Sequence, residues 1–165
     1  MNEKQTVIIF STAYLPFIGG AELAIKEITD RVPEYNFILV TSRMRRSLPR
    51  REQVGMVEVC RVGIGVPLLD KILSPLLAAW HVYTIAKRHR VCLFWSVMVS
   101  YTTITPVLLK MFGFYRAIPI LLTLQEGDSE KHIFKGRLGS IAYWRRISLR
   151  HASHLQVIST WIEKL

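Results

Sequence analysis

Two places in this sequence put chemically useful residues at informative spacing. The first is Tyr14 to Glu22, Y-L-P-F-I-G-G-A-E, which follows the apolar run Val7–Phe10 and precedes a helix-period pattern. Gly19 and Gly20 let a ligand approach the backbone with no Cβ in the way, and glycine also tolerates positive φ. A helix beginning there would add unbonded N–H groups and the positive end of its dipole, a setting for an anionic group such as phosphate. A tight strand-to-helix turn that needs small residues only for packing is the plainer alternative. The second place is Gln125-Glu126-Gly127-Asp128, an amide, two carboxylates and a glycine. Such carboxylates could orient sugar hydroxyls or take a proton, and a solvated acidic loop is the alternative.

The surrounding elements must position these groups. Thr6–Phe10 predicts a strand buried on both faces. Ala21, Ala24, Ile25, Ile28 and Val32 follow at helical spacing, with acidic Glu22 in the first turn. Further strands are predicted at Phe37–Val40, Val57–Val62, Val91–Val97, Ile118–Leu124 and Leu155–Ser159. Glu58 and Arg61 point the second of these toward a less buried position. A long helix is predicted from Leu68 to Arg90, kinked at Pro75 or restarted after a Ser74 cap. A shorter one is capped by Thr105 and starts at Pro106. Gly136–Arg150 predicts another, and Thr160–Leu165 the start of a last one. Strands alternating with helices predict an α/β fold with a doubly wound, mostly parallel, Rossmann-like sheet.

In an open parallel sheet, ligands bind beyond the carboxyl ends of the strands. That rule selects the loops at 11–22, 41–51, 96–105, 125–129 and 159–160. Pro16, Gly19, Gly20, Glu22, Arg43, Ser96, Glu126 and Ser159 are the candidate substrate-binding residues in them. Gln125 and Asp128 are weak catalytic candidates.

A chain of 165 residues, half of them hydrophobic and 21% charged, suffices for one domain with a real core and is not disordered. Its formal net charge of +10 favours an anionic partner. Cys60 and Cys92 lie in separate apolar runs and predict buried, reduced thiols, in keeping with a cytoplasmic setting. Val91–Leu109 has no charged residue, yet its middle holds Ser96, Ser100, Thr102, Thr103 and Pro106. It therefore predicts strand, loop and helix rather than a membrane span.

The segment at 14–22, the strand and loop ending Thr41-Ser42-Arg43, the run Leu122–Asp128 and the stretch His151–Ser159 occur in an order that resembles the amino-terminal domain of family 4 glycosyltransferases. The resemblance covers nearly the whole chain. It implies one half of a GT-B fold, in which this acceptor-side domain faces a carboxy-terminal domain that binds the nucleotide-sugar donor. It further implies retaining sugar transfer without a metal, with Gly19 and Gly20 approaching the donor diphosphate or the acceptor across the cleft. The acceptor expected is a glycan or lipid-linked sugar of cell-envelope or polysaccharide synthesis. Related domains often place a histidine where this chain has Gln125, which hydrogen-bonds but does not titrate. The donor site belongs to a second domain absent from the sequence, so the chain alone is expected to be inactive, as a fragment, a subunit or a truncated product. A non-catalytic domain that binds an anionic glycan or lipid, or partners a separate donor subunit, is the alternative.

Basic residues cluster at Arg43–Arg51 and again from Lys131 to Arg150. Arg137, Trp144, Arg145 and Arg146 in the second cluster could lie on an anionic membrane surface. A solvated basic face, or contact with another domain, fits the same residues. Nucleic acid is disfavoured as a partner because no recognition motif accompanies the arginines. Gly63-Ile64-Gly65 lacks the third glycine of a dinucleotide fingerprint. His151 and His154 lack the cysteines or nearby acids a metal site would need.

Overall fold

Five consecutive apolar or β-branched residues with no exposed face belong in the centre of a sheet, and that is where they lie. In the computed structural model, which describes residues 4–99, 101–125 and 140–157, the first strand β1 (Thr6–Phe10) is buried at every position. It is flanked on one side by β2 (Asn36–Ser42) and on the other by β5 (Val91–Val97), both parallel to it. Among the described residues the sheet has seven strands in the order β3-β4-β2-β1-β5-β6-β7, with β3 (Arg51–Val54), β4 (Val57–Val62), β6 (Ile120–Leu124) and β7 (His154–Val157). Of these strand pairs only β3–β4 is antiparallel. The molecule is thus an α/β domain with a mostly parallel, Rossmann-like sheet.

Side chains alternate between the two sheet faces. Ile8, Phe10, Ile38, Val40, Phe94 and Ile120 meet α2 (Pro67–Ala86), α3 (Thr105–Met111) and Ile147 of α4 (Ser140–His151). Val7, Ile9, Phe37, Leu39, Trp95 and Val97 meet Tyr14 and α1 (Gly20–Arg31) through Ala21 and Ile25. Hydroxyls and an amide tie the far side of the sheet together. Trp95 Nε1 donates to Thr123 Oγ1 at 2.8 Å, and that hydroxyl reaches Gln156 Oε1 on β7 at 2.9 Å.

Several expectations are corrected. β3 adds to the strands expected, because R-E-Q-V has no apolar period of its own to show it. It pairs as a short, charged edge strand through the tight turn at Gly55-Met56. Arg61 was expected near the surface, yet it is 2% exposed. α2 does not restart after a Ser74 cap but runs through Pro75 as one helix of 20 residues. Thr102 Oγ1 donates to Ser74 Oγ at 3.0 Å and Thr105 Oγ1 to the Pro75 carbonyl at 3.3 Å, so hydroxyls ahead of and at the start of α3 hold α2 beside its proline. Thr105 is itself helical rather than a cap, because a single 3-10 turn (Thr102–Ile104) leads into α3. The charge-free stretch from Val91 does divide into β5, that turn and α3. Among the described residues no helix is long and apolar enough to cross a membrane. Cys60 is buried and Cys92 half-buried, both as free thiols.

Candidate functional site: the crevice at the carboxyl end of β1

The sheet reverses its winding between β1 and β5. From β1 the chain adds β2, β4 and β3 on one side, then returns to add β5, β6 and β7 on the other. Such a switch point leaves a crevice beyond the strand ends. A crevice of about 520 Å³ lies there, lined by Gly19, Gly20, Ala21, Glu22 and Ala24 from the start of α1, Met98 after β5, and Gln125 after β6. Three loops distant in sequence thus converge on one space.

The two glycines differ in role. Gly19 caps α1 in an extended conformation, φ −142° and ψ 178°, with no side-chain cap, and its carbonyl accepts the Leu23 N–H at 3.2 Å. Neither glycine of the pair has positive φ, so backbone conformation does not explain them. A Cβ on Gly19 would come within 2.6 Å of Glu22 Oε2, whose carboxylate folds back over the helix start. A Cβ on Gly20 would meet nothing within 4 Å. The fold therefore leaves open space over Gly20, in front of first-turn amides and the positive end of the α1 dipole. The Glu22 carboxylate already supplies negative charge beside that end. Groups that both donate and accept hydrogen bonds, such as sugar hydroxyls, match an amide edge next to a carboxylate.

The loop that carries the glycines is held from below. Arg61 reaches up from β4, donating to the Leu15 carbonyl at 2.6 Å, to the Pro49 carbonyl at 3.2 Å, and to Glu52 of β3. Arg45 lies over the Phe17 ring, 4.9 Å from its centroid. Tyr14 anchors the loop in the core, and its hydroxyl is pushed up to about 12, first by burial and then by the charges of Asp30 and Glu22. That hydroxyl finds no hydrogen-bond partner among the described residues. Met98 holds its place at the crevice with φ 65° while its N–H bonds the Thr123 carbonyl at 2.8 Å. A methionine with positive φ beside a ligand-sized space is a strained residue at a candidate site.

The structure separates the other residues singled out in the sequence. Gln125 is in the crevice, and Pro16 is exposed on the same loop as the glycines, after a cis Leu15–Pro16 bond. Ser96 is buried and donates to the Thr103 carbonyl at 3.0 Å, so its hydroxyl serves the 3-10 turn instead of a ligand. Arg43 folds onto its own loop, bonding the Leu48 carbonyl at 3.0 Å and the Arg46 carbonyl at 2.8 Å. Arg145 was expected on an exposed basic face but is buried, and its Nε lacks a partner among the described residues. Trp144 is half-buried against the Tyr143 ring, and Arg146 is exposed. Glu126, Asp128, Arg137 and Ser159 lie outside the described residues, as does the helix start expected at Gly136 and the one expected at Thr160. Among the described residues no group of three or more His, Cys, Asp or Glu side chains gathers to hold a metal.

Met98 and Arg61 escaped the sequence reading. A methionine in an apolar run and an arginine in an alternating strand carry no local sign of their tertiary roles. Gly63-Ile64-Gly65 does cradle a carboxylate, but the chain's own. Buried Asp70 accepts from the Ile64 N–H at 2.8 Å and the Gly65 N–H at 2.7 Å, so this motif closes the β4–α2 connection.

The domain shares its fold with two solved chains. It superposes on sucrose-phosphate synthase from Thermosynechococcus elongatus with a TM-score of 0.73 at 11% identity, covering 97% of this chain and 44% of that one. A shorter chain of sucrose-phosphate synthase from the same organism gives 0.68 at 11% identity, covering 96% of this chain and 79% of that one. The chain thus spans less than half the length of the first enzyme. No family model and no curated protein matches the sequence.

Proposed function

We propose that this chain is the acceptor-side half of a GT-B glycosyltransferase of the family 4 type. A second domain would supply the nucleotide-sugar donor, and transfer would retain the anomeric configuration without a metal. The open space over Gly20 carries the proposal: the fold does not need a glycine there, whereas a ligand against the α1 amides does. Glu22 would accept from an acceptor hydroxyl, the first amides of α1 would donate to one, and Gln125 would fix its orientation. Rate would come from holding acceptor and donor in register and from stabilising the departing diphosphate. A glycan or lipid-linked acceptor of envelope synthesis fits a crevice of this size and hydroxyl-matching chemistry.

The test joins this domain to a donor-binding domain, in one polypeptide or as an added subunit, and measures sugar transfer. Gly20→Val is expected to lower turnover at least about tenfold while thermal unfolding stays cooperative, and the chain alone should give no turnover. Full activity in Gly20→Val, or transfer by the isolated chain, would refute the proposal.

A further inference from the structure

Helix α2 is built inside out. Its buried stripe is Asp70, Ser74 and Ala78, followed by Val82 and Ile85, so much of what faces the protein is small or polar. The opposite stripe is large and apolar: Leu68, Ile72, Leu76 and Trp80 are 65%, 56%, 66% and 67% exposed. A helix packed on a sheet normally shows the reverse. With 20 residues the stripe runs for about 30 Å. The end of α3 extends it. Tyr115 packs against Phe94 and lies close enough to Tyr83 and Lys87 for both to act on its phenol, and exposed Phe112 and Phe114 precede it. One apolar surface this long on a domain marks something that covers it.

The charges around the stripe identify the cover. From Lys71 to Gln125 the sequence contains no Asp or Glu, while Lys87, Arg88, Arg90, Lys110 and Arg116 fall in that span. Arg51 joins this margin beside Trp80, and the carboxylate close to it, Glu58, is 3.9 Å from the Arg51 guanidinium. Two copies joined through this face would oppose cation to cation. An anionic bilayer satisfies both parts, taking the apolar side chains at the headgroup boundary and the basic margin at the phosphates. Trp80 and Tyr83, with rings 6.1 Å apart, supply amphipathic aromatics of the kind that settle at that depth.

We propose that the outer face of α2, continued by the end of α3, lies flat on an anionic membrane surface. The membrane face is then α2, not the basic helix α4. The amino end of α2 leads from the carboxyl end of β4, so the start of this surface and the crevice mouth lie at the same end of the strands, on opposite faces of the sheet. Docking neither requires nor tests sugar transfer, because vesicle binding is read without turnover.

The experiment is flotation of the full chain with phosphatidylcholine vesicles, with or without phosphatidylglycerol. Binding is expected only with the anionic lipid and should weaken at about 0.5 M salt. Leu76→Glu with Trp80→Glu should reduce it at least about tenfold with the urea transition unchanged, because both side chains point outward. Brominated lipid should quench tryptophan fluorescence less in Trp80→Phe, and Arg146→Glu on α4 should leave binding intact. Unchanged flotation of the double variant would overturn the proposal. So would loss of binding in Arg146→Glu alone, or a dimer in sedimentation equilibrium that the double variant breaks without any vesicle binding.

Discussion

The guanidinium of Arg61 donates to the carbonyl oxygen of Leu15 at 2.6 Å, tying β4 to the loop that presents Gly19 and Gly20. The same side chain is almost sealed from solvent and also engages Glu52 and the Pro49 carbonyl. One residue thus joins the edge hairpin to the floor of the crevice. Arg61→Met removes the donors and leaves the half-buried Leu15 carbonyl without its partner. Stability is expected to fall by about 2–4 kcal/mol in urea unfolding, less than for a fully buried pair because Glu52 keeps contact with water. Amide exchange at residues 12–19 should speed up more than in α2, which distinguishes a clamp from general destabilisation.

Gly63 and Gly20 should respond oppositely to a side chain. Gly63 has φ +117°, and a Cβ there would lie 2.4 Å from Asp70 Cγ. Gly63→Ala is expected to cost about 2–3 kcal/mol, whereas Gly20→Ala should change stability by less than about 0.5 kcal/mol. Parallel urea transitions of the two variants check the contrast. Equal losses would mean that Gly20 is also required by the fold.

Tyr14 carries a buried hydroxyl with no partner among the described residues and a pKa raised to about 12. Replacing it with phenylalanine removes a desolvated polar group and keeps the ring that packs between β1 and α1. Tyr14→Phe is expected to be neutral or stabilising by up to about 1 kcal/mol, read as an unchanged or higher urea midpoint.

His81 sits beside Arg50 and Arg51, and its imidazole is held below its ordinary value, mainly by burial and then by those two charges. The folded state therefore binds fewer protons here than the unfolded chain does. Its stability contribution is complete above the ordinary pKa of 6.5 and is lost as pH falls from there through the lower folded value. The melting temperature should drop between pH 7.5 and 5.5, and His81→Gln should show a smaller drop. A parallel pair of curves would contradict this assignment.

Cys60 is buried, and burial followed by the charge of Glu58 lifts its thiol to about 11. Native protein at pH 8 should leave Cys60 almost unreacted with a disulfide reagent, while unfolded protein reacts at once. Rapid native labelling at Cys60, located by mass spectrometry, would show that β4 opens readily.

The elements with a strong period of their own were legible in the chain. β1, β2, β4 and β5 announced themselves as short apolar runs. Α1 showed three- and four-residue spacing, and the glycine pair marked the turn between strand and helix. Local pattern determines these because burial on one or two faces demands a fixed spacing of apolar side chains. From alternating strands and helices the parallel sheet followed, and with it the end of the sheet where a ligand would bind.

Whatever depended on a distant partner was decided by the tertiary structure. R-E-Q-V becomes β3 only because β4 lies beside it, and Arg61 is buried only because Leu15 and Glu52 come within reach. Ser96 looked available until the turn at Thr103 took its hydroxyl, and Met98 and Gln125 join Gly20 only through the crossing order of the strands. The apolar period of α2 was plain in sequence, but periodicity cannot say which stripe faces inward. The sheet accepts Asp70, Ser74 and Ala78 and leaves the leucines and Trp80 outside, because the Thr102 hydroxyl and the amides at Ile64 and Gly65 satisfy the polar stripe.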